Sequence, residues 1–201
     1  MKSITEDILE WSEKYLEPKN KHLGDVPVCP YARTARLKKT YRILECKNFN
    51  AFQDAIIEGA KLAKDPDIQI VIVGCKDVQY TVEELSSVID ILNRVLVPQD
   101  IYLMGSHPHD DDEDEPVEFL DTGDWQPDNE FMMVLIQKFD ELEKASDNLR
   151  KNGYYDKWPS DYYEGTVLKR QSYRRYRHDG HEKKNETRWC SQKEKISRRV
   201  W

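Results

Sequence analysis

Six consecutive residues, His107-Pro108-His109-Asp110-Asp111-Asp112, set two imidazoles beside three carboxylates one residue beyond the apolar run Ile101 to Gly105. In extended backbone, side chains two positions apart share a side, so His107 and His109 can face one ion. Imidazole nitrogen and carboxylate oxygen, joined by a thiol, suit zinc or iron, and three protein ligands with one open position make a catalytic metal site. The expected metal ligands are His107, His109, Asp111 and Cys29, and the expected catalytic residues are Cys29, His107 and Asp112, with Asp111 or Asp112 free to act as ligand or general base. The plainer reading of the same string is a solvated acidic loop that contains two histidines.

The four cysteines, Cys29, Cys46, Cys75 and Cys190, lie 17, 29 and 115 residues apart with no Cys-x-x-Cys pair, which fits neither a disulfide framework nor a zinc-finger spacing. Cys29 precedes Pro30, a residue suited to the first turn of a helix, and Arg33 and Arg36 follow within two turns. Helix dipole and cations would favour its thiolate, so Cys29 is a candidate nucleophile with His107 as base, either beside a metal or in a metal-free thiol enzyme. Cys46 and Cys75 read as small buried hydrophobes.

The elements that must position these groups are legible from caps and periodicity. Ser3-Ile4-Thr5-Glu6 is a capping box, and Ile4, Ile8, Trp11 and Tyr15 continue at helical spacing to Pro18, predicting a helix over 4–17. A short helix over 31–38 follows a Pro- and Gly-containing loop. Residues 40–46 read as a strand, 48–65 as an Asn48-capped helix, 68–74 as a strand covered on both faces, and 81–97 as a helix opened by the box Thr81-Val82-Glu83-Glu84. A third strand over 101–105 precedes a helix over 131–151, and 117–120 can add an edge strand. Alternating strands and helices predict an α/β fold, a small, mostly parallel sheet of three to four strands with flanking helices, and an α+β ferredoxin-like arrangement is the alternative. Ligands of open parallel sheets gather beyond the carboxyl ends of the strands, here Cys46, Gly74-Cys75 and Gly105 to His109.

Charge divides the chain. Residues 166–201 hold 12 Lys and Arg against 4 Asp and Glu, a net +8, and the other 165 residues hold 19 against 34, a net −15. The expected organisation is an acidic α/β domain over 1–165 and a basic, aromatic, partly disordered tail over 166–201. Lys169 to His178 interleaves bases with tyrosines, which suits a nucleic acid or an acidic protein partner, or else a tail folded back on its own body. A non-enzymatic binding protein working through residues 169–201 is therefore the alternative to the metal enzyme. No run reaches the roughly 18 to 20 apolar residues of a membrane helix, and the acidic N-terminus lacks the pattern of a secretory signal, so a cytoplasmic protein without a membrane partner is expected.

Trp11 in the first helix, the box Val28-Cys29-Pro30-Tyr31-Ala32 and the later Gly105-Ser106-His107-Pro108 together resemble an uncharacterised bacterial family marked by a Trp helix, a Leu-Cys-Pro-Phe-Ala box and a Ser-Phe-His-Pro segment. The similar stretch covers roughly residues 8–150. The family carries no established activity, and the resemblance implies only that Cys29 and His107 weigh more than Cys46 and Cys75. This chain lacks the Phe before His107 and the family's Asn-Arg-Ser-Pro-Tyr-Pro segment ahead of the last helix.

Overall fold

The computed structural model describes residues 2–109 and 130–178. Helix α1 (Ile4–Trp11) opens on the capping box expected from Ser3 and Glu6 and runs into one π-helical turn, Ser12–Leu16. A two-residue antiparallel ladder, β1 (Lys19–Asn20) with β2 (Val26–Pro27), closes the loop ahead of the short helix α2 (Ala32–Leu37). Then come β3 (Tyr41–Cys46), α3 (Phe49–Leu62), β4 (Ile70–Cys75), α4 (Val82–Leu96) and β5 (Ile101–Ser106). Asn48 caps α3 and Thr81 with Glu84 boxes α4. These elements match their expected places within a few residues.

The stretch expected to be one helix over 131–151 divides. Residues Met132–Lys138 form β6, and only Phe139–Lys151 form helix α5. Met132, Val134 and Ile136 are fully buried on one face while Met133 and Leu135 are half-buried on the other. An apolar run covered on both sides carries no period that separates strand from helix, and here backbone pairing with two neighbours settles it. The helix cap also comes from elsewhere: Asp100, in the left-handed region at φ 67°, accepts the Phe139 N–H on its carbonyl and the Asp140 N–H on its carboxylate.

Strand order is β3-β4-β6-β5, with β3 parallel to β4 and β6 antiparallel to both β4 and β5. The α/β class stands, but the sheet is mixed and not mostly parallel. The three strands read from the sequence nevertheless run in one direction, because β6 enters between β4 and β5 and reverses twice. The expected strand over 117–120 lies outside the described residues.

Both faces of the sheet are buried. Helices α3 and α4 lay Phe52, Ile56, Ala60, Leu85, Ile89 and Leu96 over Val71, Val73, Leu103, Val134 and Ile136. On the other face Ile4 and Ile8 of α1 cover Ile72, and a Cβ at Gly74 would lie 2.6 Å from Ile4 Cγ2, so only glycine admits α1 at that depth. At the open edge of the sheet, Asn93 of α4, itself 1% exposed, accepts the Leu103 N–H at 2.8 Å and donates to the Leu103 carbonyl at 2.9 Å. Among the described residues no strand flanks β5 on this side, and the amide supplies the acceptor and donor that such a strand would offer to Leu103.

Residues 160–178 fold against the body as α6 (Ser160–Tyr163), a π-helical turn, α7 (Lys169–Ser172) and α8 (Arg174–His178). Tyr173 and Tyr176 pack on Val97, Tyr102, Phe139 and Leu142. Glu143, 6% exposed, accepts Arg170 Nε at 2.6 Å and Arg174 Nε at 2.6 Å, Arg177 pairs with Asp140 and Asp100, and Lys169 and the Tyr173 hydroxyl reach Asp90. The carboxylates that answer this basic segment sit on α4, α5 and the turn before β5.

Asn93→Ala leaves both main-chain groups of Leu103 buried and unpaired, so it is expected to cost about 2 to 4 kcal/mol in urea unfolding, far beyond the effect of an exposed Asn in the same helix. Glu143→Gln strands the buried Arg170 guanidinium and is expected to cost about 3 kcal/mol or more by the same measurement.

Candidate functional site at the carboxyl rim

Because β3, β4 and β5 run in one direction, Cys46, Cys75 and the segment from Ser106 to His109 are delivered to one rim of the sheet. The loop from Lys76 to Tyr80 lies across this rim. Its Asp77 carboxylate accepts the Phe49 N–H at 3.0 Å at the start of α3 and both oxygens accept Gln79 Nε2. The Tyr80 ring meets Phe49 edge-on at 4.6 Å between centroids and its hydroxyl accepts Gln53 Nε2 at 3.2 Å.

The Tyr80 carbonyl holds His107. His107 is 8% exposed, and its Nε2 lies 2.9 Å from that carbonyl oxygen. A carbonyl can only accept, so Nε2 carries the proton and the lone pair resides on Nδ1. Nδ1 accepts the His109 N–H at 3.1 Å. The exposed His109 ring sits 5.4 Å from that of His107, inclined at 56°. Asp111 and Asp112 lie outside the described residues. Among the described residues no group of three or more His, Cys, Asp and Glu side chains converges in a geometry suited to a metal ion.

Cys46 and Cys75 are direct register partners on adjacent parallel strands, both within the core under α3. Each thiol donates to a nearby carbonyl, Cys46 to Ala51 at 3.6 Å and Cys75 to Asp77 at 3.7 Å. Burial pushes Cys46 up to about 11 and raises Cys75 as well, so both remain neutral thiols near pH 7. They pack as small hydrophobes, as their sequence context predicted.

Cys29 does not join the rim. It lies beside Tyr41, the first residue of β3, with its own N–H on the Leu16 carbonyl at 3.0 Å. His107 follows the last residue of β5, and β3 and β5 are opposite edges of the sheet. The expected Cys29 and His107 pair therefore occupies two diagonal corners, and a shared nucleophile–base or metal site between them is corrected to two separate locations. The expected lowering of the Cys29 pKa is also reversed. Burial raises it; the Tyr31 and Ala32 backbone N–H groups act the other way and do not prevail, and the Glu17 carboxylate adds to the rise. Arg36, one of the cations counted on to favour the thiolate, is bidentate on Glu17 at 2.7 and 2.9 Å.

Sequence inspection missed Asp77, Gln79 and Tyr80, the residues that build the rim. Their one signal is position: a short polar loop between an apolar strand and a capping box is where a parallel sheet displays polar groups.

All three described thiols are expected to react with iodoacetamide near neutral pH many times more slowly in the folded protein than in urea, read by mass spectrometry of each peptide. The Cys46 thiol, neutral in the fold up to about 11 against an ordinary 9.0, contributes stability that is complete below the lower value and lost as pH rises through the higher. The urea midpoint is accordingly expected to fall between about pH 9 and about pH 11, and Cys46→Ala to flatten that fall. Comparison of the chain with protein-family models, curated proteins and solved structures found no match in any of the three.

Proposed function

We propose that the carboxyl rim is a metal-binding centre and that the protein is a small metal-dependent enzyme, with His107 and His109 as ligands and Asp111 or Asp112 completing the set or serving as general base. One observation carries the reading. The Nε2–H of His107 is tied to the Tyr80 carbonyl, the outer hydrogen bond that metal-ligating imidazoles use to fix their tautomer, and this leaves Nδ1, which accepts the His109 backbone N–H, as the nitrogen with a lone pair to give. Two imidazoles on one ion with metal–nitrogen distances of about 2.0 to 2.1 Å place their ring centres roughly 5 Å apart, in keeping with the 5.4 Å seen here.

Imidazole with carboxylate oxygen suits zinc or iron, and either ion would polarise an oxygen of a small-molecule substrate or acidify a bound water. Binding requires the His109 N–H to leave Nδ1, so that a coordinate bond replaces that hydrogen bond. Cys29 has no place in this set. The alternative, a binding protein acting through the basic aromatic tail, draws no support from residues 169–177, where Arg170, Arg174 and Arg177 already hold carboxylates of their own chain.

Elemental analysis of protein prepared without chelator tests the reading. Wild type and Cys29→Ala are expected to hold one zinc or iron per chain, and His107→Ala, His109→Ala and the double variant Asp111→Asn/Asp112→Asn to lose most of it. Wild-type protein that holds no zinc or iron and takes up neither on titration would overturn it.

A further inference from the structure

The most exposed large hydrophobic side chain among the described residues sits on α2, in the middle of a basic patch. Leu37 is 64% exposed and Tyr31 45%. Residues 31–42 contain Arg33, Arg36, Lys38, Lys39 and Arg42 and no carboxylate, within a body that is otherwise strongly acidic. Ala32 and Ala35 turn inward, which leaves Arg33 and Leu37 one helical turn apart on the outer face with Thr34 and Lys38 beside them.

These cations differ from those of the C-terminal segment. Arg33, Lys38 and Lys39 form no ion pair with a described carboxylate, whereas Arg36 is held inward by Glu17 and Glu13. Lys39 stands in the left-handed region at φ 56°, and Arg42 Nη1 donates to the carbonyls of Lys39 and Tyr41, so the turn that presents Lys38 and Lys39 is clamped from within the patch. A pre-formed turn whose lysines pair with no described carboxylate, beside an exposed leucine, is ordered before any partner arrives.

We propose that α2 and the turn after it dock a short acidic segment of another protein, with one apolar side chain of that segment seated on Leu37 and its carboxylates on Arg33, Lys38, Lys39 and Arg42. Charge and extent select this partner. Glu13 and Glu17 of the first helical stretch lie next to the patch, where both pair with Arg36. A duplex nucleic acid, with a charge about every 1.7 Å along its axis, would run off the patch onto these carboxylates. A peptide of a few acidic residues ends before reaching them. Leu37 argues in the same direction, because an exposed leucine gains by burial against an apolar anchor and nothing against phosphate.

The test uses the full chain and a dye-labelled peptide, Glu-Asp-Glu-Leu-Asp-Glu, followed by fluorescence anisotropy. Binding is expected for wild type and is expected to weaken by about tenfold or more in Lys38→Glu/Lys39→Glu and by roughly tenfold in Leu37→Ser. Because these side chains are exposed, the variants are expected to keep the wild-type circular dichroism and urea midpoint, and raised salt is expected to weaken binding. The proposal is overturned if wild type does not bind the peptide, or if both variants bind it as wild type does. It is equally overturned if a duplex DNA or a vesicle rich in anionic lipid binds more tightly than the peptide and is lost in the same variants.

Discussion

The backbone ladder of β6 is the interaction on which the rest of the structure depends. Pairing antiparallel to β4 on one side and β5 on the other, it is, among the described residues, the strand that connects β5 to the sheet. Its double reversal lets β5 run the same way as β3 and β4, and so delivers the end of β5 to the rim that carries the ends of the other two. Its far end launches α5 at the foot of β5, where Asp100 caps the helix and where the C-terminal segment later docks. A parallel strand in that slot would need its own crossover, and the chain would arrive from the opposite rim.

Around this sheet, buried polar groups define positions that apolar packing would leave open. Asn93 covers the main chain of Leu103 at the edge, Tyr80 holds His107 through its carbonyl, and Glu143 gathers Arg170 and Arg174. At Asn93 and at the Glu143–Arg170 pair, donor and acceptor meet where water is excluded, so a shifted register would leave them unpaired at a cost of a few kcal/mol. The neutral, buried thiols of Cys46 and Cys75 complement these groups: they fill the core under α3 and ask little of their surroundings beyond one carbonyl each.

The electrostatics follow the fold more closely than they follow the sequence. Summed along the chain, the C-terminal residues look like the basic surface of the molecule. In space, Arg170, Arg174 and Arg177 are matched by Glu143, Asp140 and Asp100, whereas Arg33, Lys38 and Lys39 of α2 and its turn form no ion pair with a described carboxylate. Charge asymmetry in a sequence counts ions without their partners, and pairing is decided by which helices lie side by side.

Local chemistry determined much of this protein from its sequence alone. The capping boxes at Ser3 and Thr81, the Asn48 cap and the apolar runs ending at Cys46, Cys75 and Gly105 placed α1, α3, α4 and three strands, because caps and periodicity act within a few residues. The two histidines of the rim were equally legible as His-x-His after a strand. Tertiary structure decided the remainder. Met132 to Lys138 became a strand because two neighbours offered main-chain groups, which no reading of its own apolar run reveals. Cys29 and His107 parted because strand order put β3 and β5 on opposite edges, and the Cys29 pKa rose because burial outweighed the Tyr31 and Ala32 backbone N–H groups at the helix start. Strand order, burial and pairing partners depend on residues far apart in the chain, and so they are fixed only when the whole sheet assembles.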